Sequence, residues 1–155
     1  MRRAAALGGL GLVLVACGKE PVTIPTTRLT AADQAVCQRL VNALPDKLAG
    51  QGARKTQPAA ALGGAWGDPA IVVQCQGDAP TSSGDSCTEH DGVAWYADAD
   101  ATRDDSAELV VSSAGHGPVL QLTVPAAYRP DGLSAALGQL APILRELAQP
   151  LETCP

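Results

Sequence analysis

Phenylalanine is absent, aromatic residues make up only 3% of the 155-residue chain, and 17% of it is charged. A core must therefore come from aliphatic side chains, and the charged fraction is too low for a chain kept disordered by its own charge. Basic residues are also scarce: 11 Lys and Arg against 16 Asp and Glu give a net charge of −5. Nucleic-acid binders need a basic patch to displace counterions from phosphate, so nucleic acid is excluded as a partner. No apolar run reaches the roughly 20 residues of a membrane-spanning helix. The spacings CxxC and HxxxH are missing, and so are a Gly-x-Ser-x-Gly elbow and a glycine-rich phosphate loop after a strand. No metal, no cofactor and no catalytic residue is expected from motifs.

What the chain does have begins at its N-terminus. Arg2 and Arg3 precede an apolar run from Ala4 to Ala16, which is too short to span a bilayer and the right length for a signal-peptide core. Leu14-Val15-Ala16-Cys17 looks like a bacterial lipobox, in which the cysteine thiol receives a diacylglyceryl group before cleavage on its N-terminal side. Residues 1–16 are thus read as a lipoprotein signal peptide and Cys17 as the lipidated residue. Each buried CH₂ contributes about 0.8 kcal/mol, and two acyl chains give stable attachment. The expected location is the outer face of the cytoplasmic membrane, with the bilayer as partner through acylated Cys17. Loss of Arg2 and Arg3 leaves a more acidic protein, so lipid and not surface charge must hold it there. Residues 17–30, with Pro21 and Pro25 and no apolar periodicity, read as a flexible tether.

Cys37, Cys75, Cys87 and Cys154 remain, an even number that reads as two disulfides in an oxidising compartment. The order of elements bears on their pairing. Thr30 can cap a helix with Asp33 in its first turn, and Cys37, Val41, Leu44 and Leu48 recur at helical spacing beside Val36 and Leu40. Pro45 should kink or restart that helix, and Gly50 and Gly52 should end it. Strands are expected at residues 71–75, 92–97, 108–113 and 119–124, the last two joined by Gly115-His116-Gly117-Pro118. Leu133, Leu137, Leu140, Leu144 and Leu147 predict a final helix after Pro130-Asp131, bent at Pro142 and stopped by Pro150. The fold expected is α+β, with a four-stranded antiparallel sheet carrying both helices on one face and residues 31–155 forming one domain.

On that plan Cys75 shares a strand face with Ile71 and Val73, while Cys37 lies on the buried stripe of the first helix. Facing geometry therefore favours Cys37 with Cys75 and Cys87 with Cys154. The alternative joins Cys37 to Cys154 and Cys75 to Cys87. Loop-closure entropy does not separate the two schemes, since each sums to roughly 8 kcal/mol.

The run Ala65-Trp66-Gly67-Asp68-Pro69-Ala70-Ile71-Val72-Val73-Gln74-Cys75, taken with Cys37-Gln38-Arg39-Leu40, Ala43-Leu44-Pro45 and Asp91-Gly92-Val93-Ala94-Trp95, resembles the actinobacterial family called domain of unknown function 3515. The resemblance covers about residues 33–149. It implies export, often with a lipobox, and it implies pairing of the helix and strand cysteines, Cys37 and Cys75. The chain departs from the family in having Gln76 after the strand cysteine and in adding Cys87 and Cys154. The resemblance carries over no catalytic residue.

Candidate binding residues are Trp66 and Asp68, in a turn where an exposed indole would stack on a sugar or peptide. The competing reading places Trp66 at the core edge, and Trp95, beside Val93, reads as core. Asp98, Asp100, Asp104 and Asp105 lack the EF-hand spacing and read as a solvated loop. His90, Asp91, Ser82, Ser83 and Ser86 read as a polar loop carrying a cystine, and His116 as a turn residue. The function expected is an extracytoplasmic lipoprotein acting as a binding module of the cell envelope, with an envelope protein as partner. The alternatives are a small-molecule or cell-wall-fragment binder and, last, an unrecognised envelope enzyme.

Overall fold

The computed structural model describes residues 19–77, 85–114, 118–129, 131–148 and 154. The signal core, Cys17, Ser82, Ser83, His116, Pro130 and Pro150 lie outside the described residues. In chain order the elements are β1 Val22–Thr23, α1 Ala31–Asn42, β2 Lys47–Leu48, β3 Gln51–Arg54, β4 Thr56–Gln57, β5 Gly63–Trp66, β6 Ile71–Gln76, β7 Asp85–His90, β8 Val93–Asp98, β9 Leu109–Ser113, β10 Val119–Val124 and α2 Asp131–Leu147.

The fold is α+β, and its sheet is larger than expected. Eight antiparallel strands run in the order β2-β3-β5-β6-β10-β9-β8-β7, so the four-stranded expectation is corrected. The four predicted strands are the contiguous middle of this sheet, β6-β10-β9-β8, because they carry its apolar alternation. Ile71, Val73 and Cys75 on β6 face inward with Leu120 and Leu122 opposite them on β10, while Val72, Gln74 and Gln76 are half-buried on the outer face.

The first helix is also shorter than its periodicity suggested. Thr30 caps it, with the hydroxyl accepting from the Asp33 amide at 3.2 Å, but α1 stops at Asn42 with Ala43 as its C-terminal cap. The residue before a proline avoids helical geometry, so Pro45 ends the helix instead of kinking it. Cys37 and Leu40 are the helix's fully buried residues, and Leu48 enters the core from β2. Ala49 and Gly50 both take positive φ, 48° and 76°, making the tight hairpin turn between β2 and β3 where a helix end had been expected.

Helix α2 runs through Pro142 and buries Ala136, Leu137, Leu140, Ala141 and Leu144. It touches β2 at one end of the strand order and β7 and β8 at the other, so the sheet curls around it. Gln139 of α2 accepts from the Ala49 amide at 2.8 Å and donates to the Lys47 carbonyl at 3.2 Å. On the opposite side Ser134 meets His90 of β7 at 3.2 Å. One continuous apolar cluster fills the space between the helices and the concave face of the sheet.

The described part of the segment read as a tether, residues 19–30, is corrected by where it lies. β1 pairs in parallel with β4, the Val22 amide donates to the Lys55 carbonyl at 2.8 Å, and Ile24 donates to Gln57 at 2.9 Å. Ile24 is fully buried. The β-branched run Val22-Thr23-Ile24 gives this stretch strand character that the flanking prolines mask.

Both disulfides are formed between Cys37 and Cys75, with Cα atoms 5.8 Å apart, and between Cys87 and Cys154, at 5.7 Å. The first ties α1 to β6 through the core. The second ties the edge strand β7 to the C-terminal region.

Candidate functional site

The N-terminal segment continues past β1 across the end of the sheet and encloses a cavity of about 460 Å³ with the residues beneath it. Pro25, Thr26, Thr27, Arg28 and Leu29 form one wall, Gln34 of α1 and Ala60 stand beside them, and Leu62 and Cys75 belong to the side of the sheet. The Gln74 side-chain amide fixes the wall by donating to the Pro25 carbonyl and the Thr27 hydroxyl, both at 3.1 Å. Ile24 pins the segment just upstream, against Gly63, where a Cβ would collide with the Val73 carbonyl. The Cys37–Cys75 bond rigidifies the opposite side. The volume lies within the range of small-ligand pockets, and the lining is shared about equally between polar and apolar groups.

Arg28 is the one charged residue in this lining, and no carboxylate is among its residues. It is exposed and makes no ion pair with any described residue. Asp33, in the neighbouring helical turn, already accepts the Thr30 hydroxyl at 2.7 Å.

The residues picked from sequence lie elsewhere. Trp66 is 2% exposed and its Nε1 donates to the Pro45 carbonyl at 2.9 Å, so it is a core residue and not a stacking platform. Asp68, by contrast, is exposed. It pairs with Lys19 at 3.0 Å and lies 3.9 Å from Arg54. The hydrogen bond and charge of Lys19, helped by Arg54, hold its carboxyl below the usual range. Arg54 also donates to the Glu20 carbonyl at 2.8 Å. Asp68 therefore fastens the N-terminal segment and is already occupied.

The aspartate-rich loop after β8 is organised from within. Asp98 accepts the amides of Asp100 and Ala101 at 2.9 and 2.8 Å, and Asp104 accepts the amide and hydroxyl of Ser106, which lowers its pKa. Arg129, whose side chain is 2% exposed, donates to the carbonyls of Ala101, Thr102, Asp104 and Ala107 and pairs with Asp105 at 3.1 Å. No group of metal-ligating side chains occurs among the described residues. Ser86 donates to the Ala97 carbonyl at 3.2 Å, away from His90. His90 instead lies between Ser134 and Asp91, the latter 3.4 Å from Nδ1, and locks the β7–β8 turn to α2.

The sequence reading missed Thr27, Arg28, Gln34 and Leu62 because each is unremarkable by itself. The signal that could have found them was the β-branched run at 22–24, which commits the segment to the sheet and brings residues 25–29 over Cys75. The buried Arg129 had no sequence signal beyond its place between a strand and a helix.

Neither the curated proteins nor the solved structures contain a match to this chain. The model of the family described as "Protein of unknown function (DUF3515)" matches residues 4–150, which takes in α1, the tryptophan-bearing β5 and β8 and all of α2, and the chain belongs to that family.

Proposed function

We propose that this protein is a lipoprotein held at the outer face of the cytoplasmic membrane by acyl chains on Cys17, with residues 31–155 and the N-terminal segment packed on them as a single domain that binds a component of the cell envelope. The lipobox and signal core carry the anchoring. Two disulfides fit an oxidising compartment. The cavity beside Cys75 carries the binding role: it is concave, of ligand size and walled by a segment tied down at several points. It favours a small molecule or cell-wall fragment as the bound component.

An envelope protein is the second reading, and the observation favouring it is β7, a six-residue strand at the end of the sheet order. Edge strands can accept an extended peptide. The test is in-cell cross-linking of the full-length protein with mass spectrometry of the captured species and of the N-terminal peptide. An acylated Cys17, lost together with membrane association in Cys17→Ala, is the expected result. An unmodified Cys17, or a membrane fraction unchanged in Cys17→Ala, would overturn the anchoring.

A further inference from the structure

We propose that the cavity between residues 25–29 and Cys75 takes a small amphiphile with a single anionic head, a carboxylate or a phosphate, and a short apolar body. The proposal rests on the cavity being the binding site and adds the chemical class of what enters it. In a chain of net charge −5, this lining holds one cation, Arg28, and no acid. Arg28 makes no ion pair with any described residue, and a guanidinium offers paired donors that match a carboxylate or phosphate. The Thr26 and Thr27 hydroxyls and the Gln34 amide add neutral hydrogen-bonding groups at the same wall. Gln34 stands in the first turn of α1, where the Asp33 carboxylate already meets the positive end of the helix dipole, so the preference for an anion rests on Arg28.

The apolar part of the lining selects the rest of the ligand. Pro25, Leu29, Ala60 and Leu62 reward a short hydrocarbon part and offer a second charge nothing to pair with. A polyanion is disfavoured for that reason, and a cation is repelled by Arg28.

The test uses the mature lipoprotein in nanodiscs of zwitterionic lipid, with leucine methyls labelled for NMR. Hexanoate, hexyl phosphate, hexanol and hexylammonium are titrated separately while the Leu29 and Leu62 resonances are followed. Saturable shifts with hexanoate or hexyl phosphate, weakened tenfold or more in Arg28→Gln and unchanged in Arg103→Gln, are expected; the stronger of the two anions identifies the head group. Equal affinity for hexanol or hexylammonium would overturn the anionic class and leave the cavity as a binding site. Absence of saturable shifts with all four would overturn the proposal and the cavity reading together. Acylation of Cys17, read from the mass of the same preparation, stays independent of either result.

Discussion

Two parts of this sheet are each closed by a disulfide, and they are held together in different ways. In the first, α1, β5 and β6 meet around Cys37 and Cys75, which are 0% and 1% exposed, and the indole of Trp66 is satisfied by the Pro45 carbonyl. In the second, β7 and β8 meet around the Cys87–Cys154 bond, both cysteines only half-buried, and the buried Nε1 of Trp95 has no hydrogen-bond partner among the described residues. Their acidic groups differ in the same sense. Asp68 is stabilised by Lys19, 49 positions away, and Asp104 by Ser106, two positions away. The carboxylate of the first region is thus held by a residue distant in sequence and that of the second by its own loop, while Arg129, Ser134 and Cys154 tie the second region to distant parts of the chain as well. Chain entropy alone would rank the two disulfides the other way, because the loops close over 38 and 67 residues and each yields about 4 kcal/mol. Packing, not loop length, makes them unequal.

The largest expected effect follows directly. Replacing Cys37 and Cys75 with alanine removes a cross-link and opens a void in the core, for a loss of about 5 kcal/mol. The same change at Cys87 and Cys154 should cost about 4 kcal/mol, since water can fill the space and only the cross-link is lost. Chemical denaturation of the two double variants measures both, and equal losses would erase the contrast.

A smaller effect separates the tryptophans. Trp66→Phe leaves the Pro45 carbonyl without its donor, whereas Trp95→Phe removes an N–H that already lacks an acceptor, so the first should cost about 1–2 kcal/mol more than the second. Denaturant midpoints compared on the same footing decide it, and a reversed order would show that the Trp95 region is the better packed.

The smallest effect is with acid. Both carboxylates have folded pKa values below the ordinary 3.8, so what they contribute is present above that value and is lost as the pH falls through the lowered one. Neutralising Asp68 should release Lys19 and move the amide resonances of Val22 and Ile24. Neutralising Asp104 should move only those of its own loop. An acid titration followed by NMR, repeated with Asp68→Asn, makes the comparison. Val22 and Ile24 resonances that stay still in the wild-type protein would remove the long-range character assigned to the first region.

The middle of the sheet was legible because its strands alternate apolar and polar residues, and α2 because its leucines repeat at three and four. The missed strands lack those patterns for physical reasons. β5 reads as a loop from Gly63 and Gly64, yet both glycines serve close packing: a Cβ on Gly64 would fall 2.5 Å from the ring of Trp66, and one on Gly63 would strike the Val73 carbonyl. β7 has no apolar face because Ser86 and His90 are spent on polar contacts to β8 and α2. Leu44 and Leu48 continue the helical spacing of α1 by coincidence, and the backbone limits of Pro45 override it. The candidate cavity was not legible, since it needs the N-terminal segment and Cys75 side by side, about fifty residues apart in sequence.

The side-chain amide of Gln139 has a consequence for crowding. Under the anchoring proposed above, copies confined to one surface would reach high local concentration, and an unpaired strand edge there would act as a template on which another copy could polymerise. The edge at β2 offers two residues, and the carbonyl of one of them, Lys47, and the Ala49 amide just beyond the strand are both engaged by one glutamine from the helix. Gln139 thus works as an end-stop: it terminates the growing direction of the sheet with the chain's own atoms.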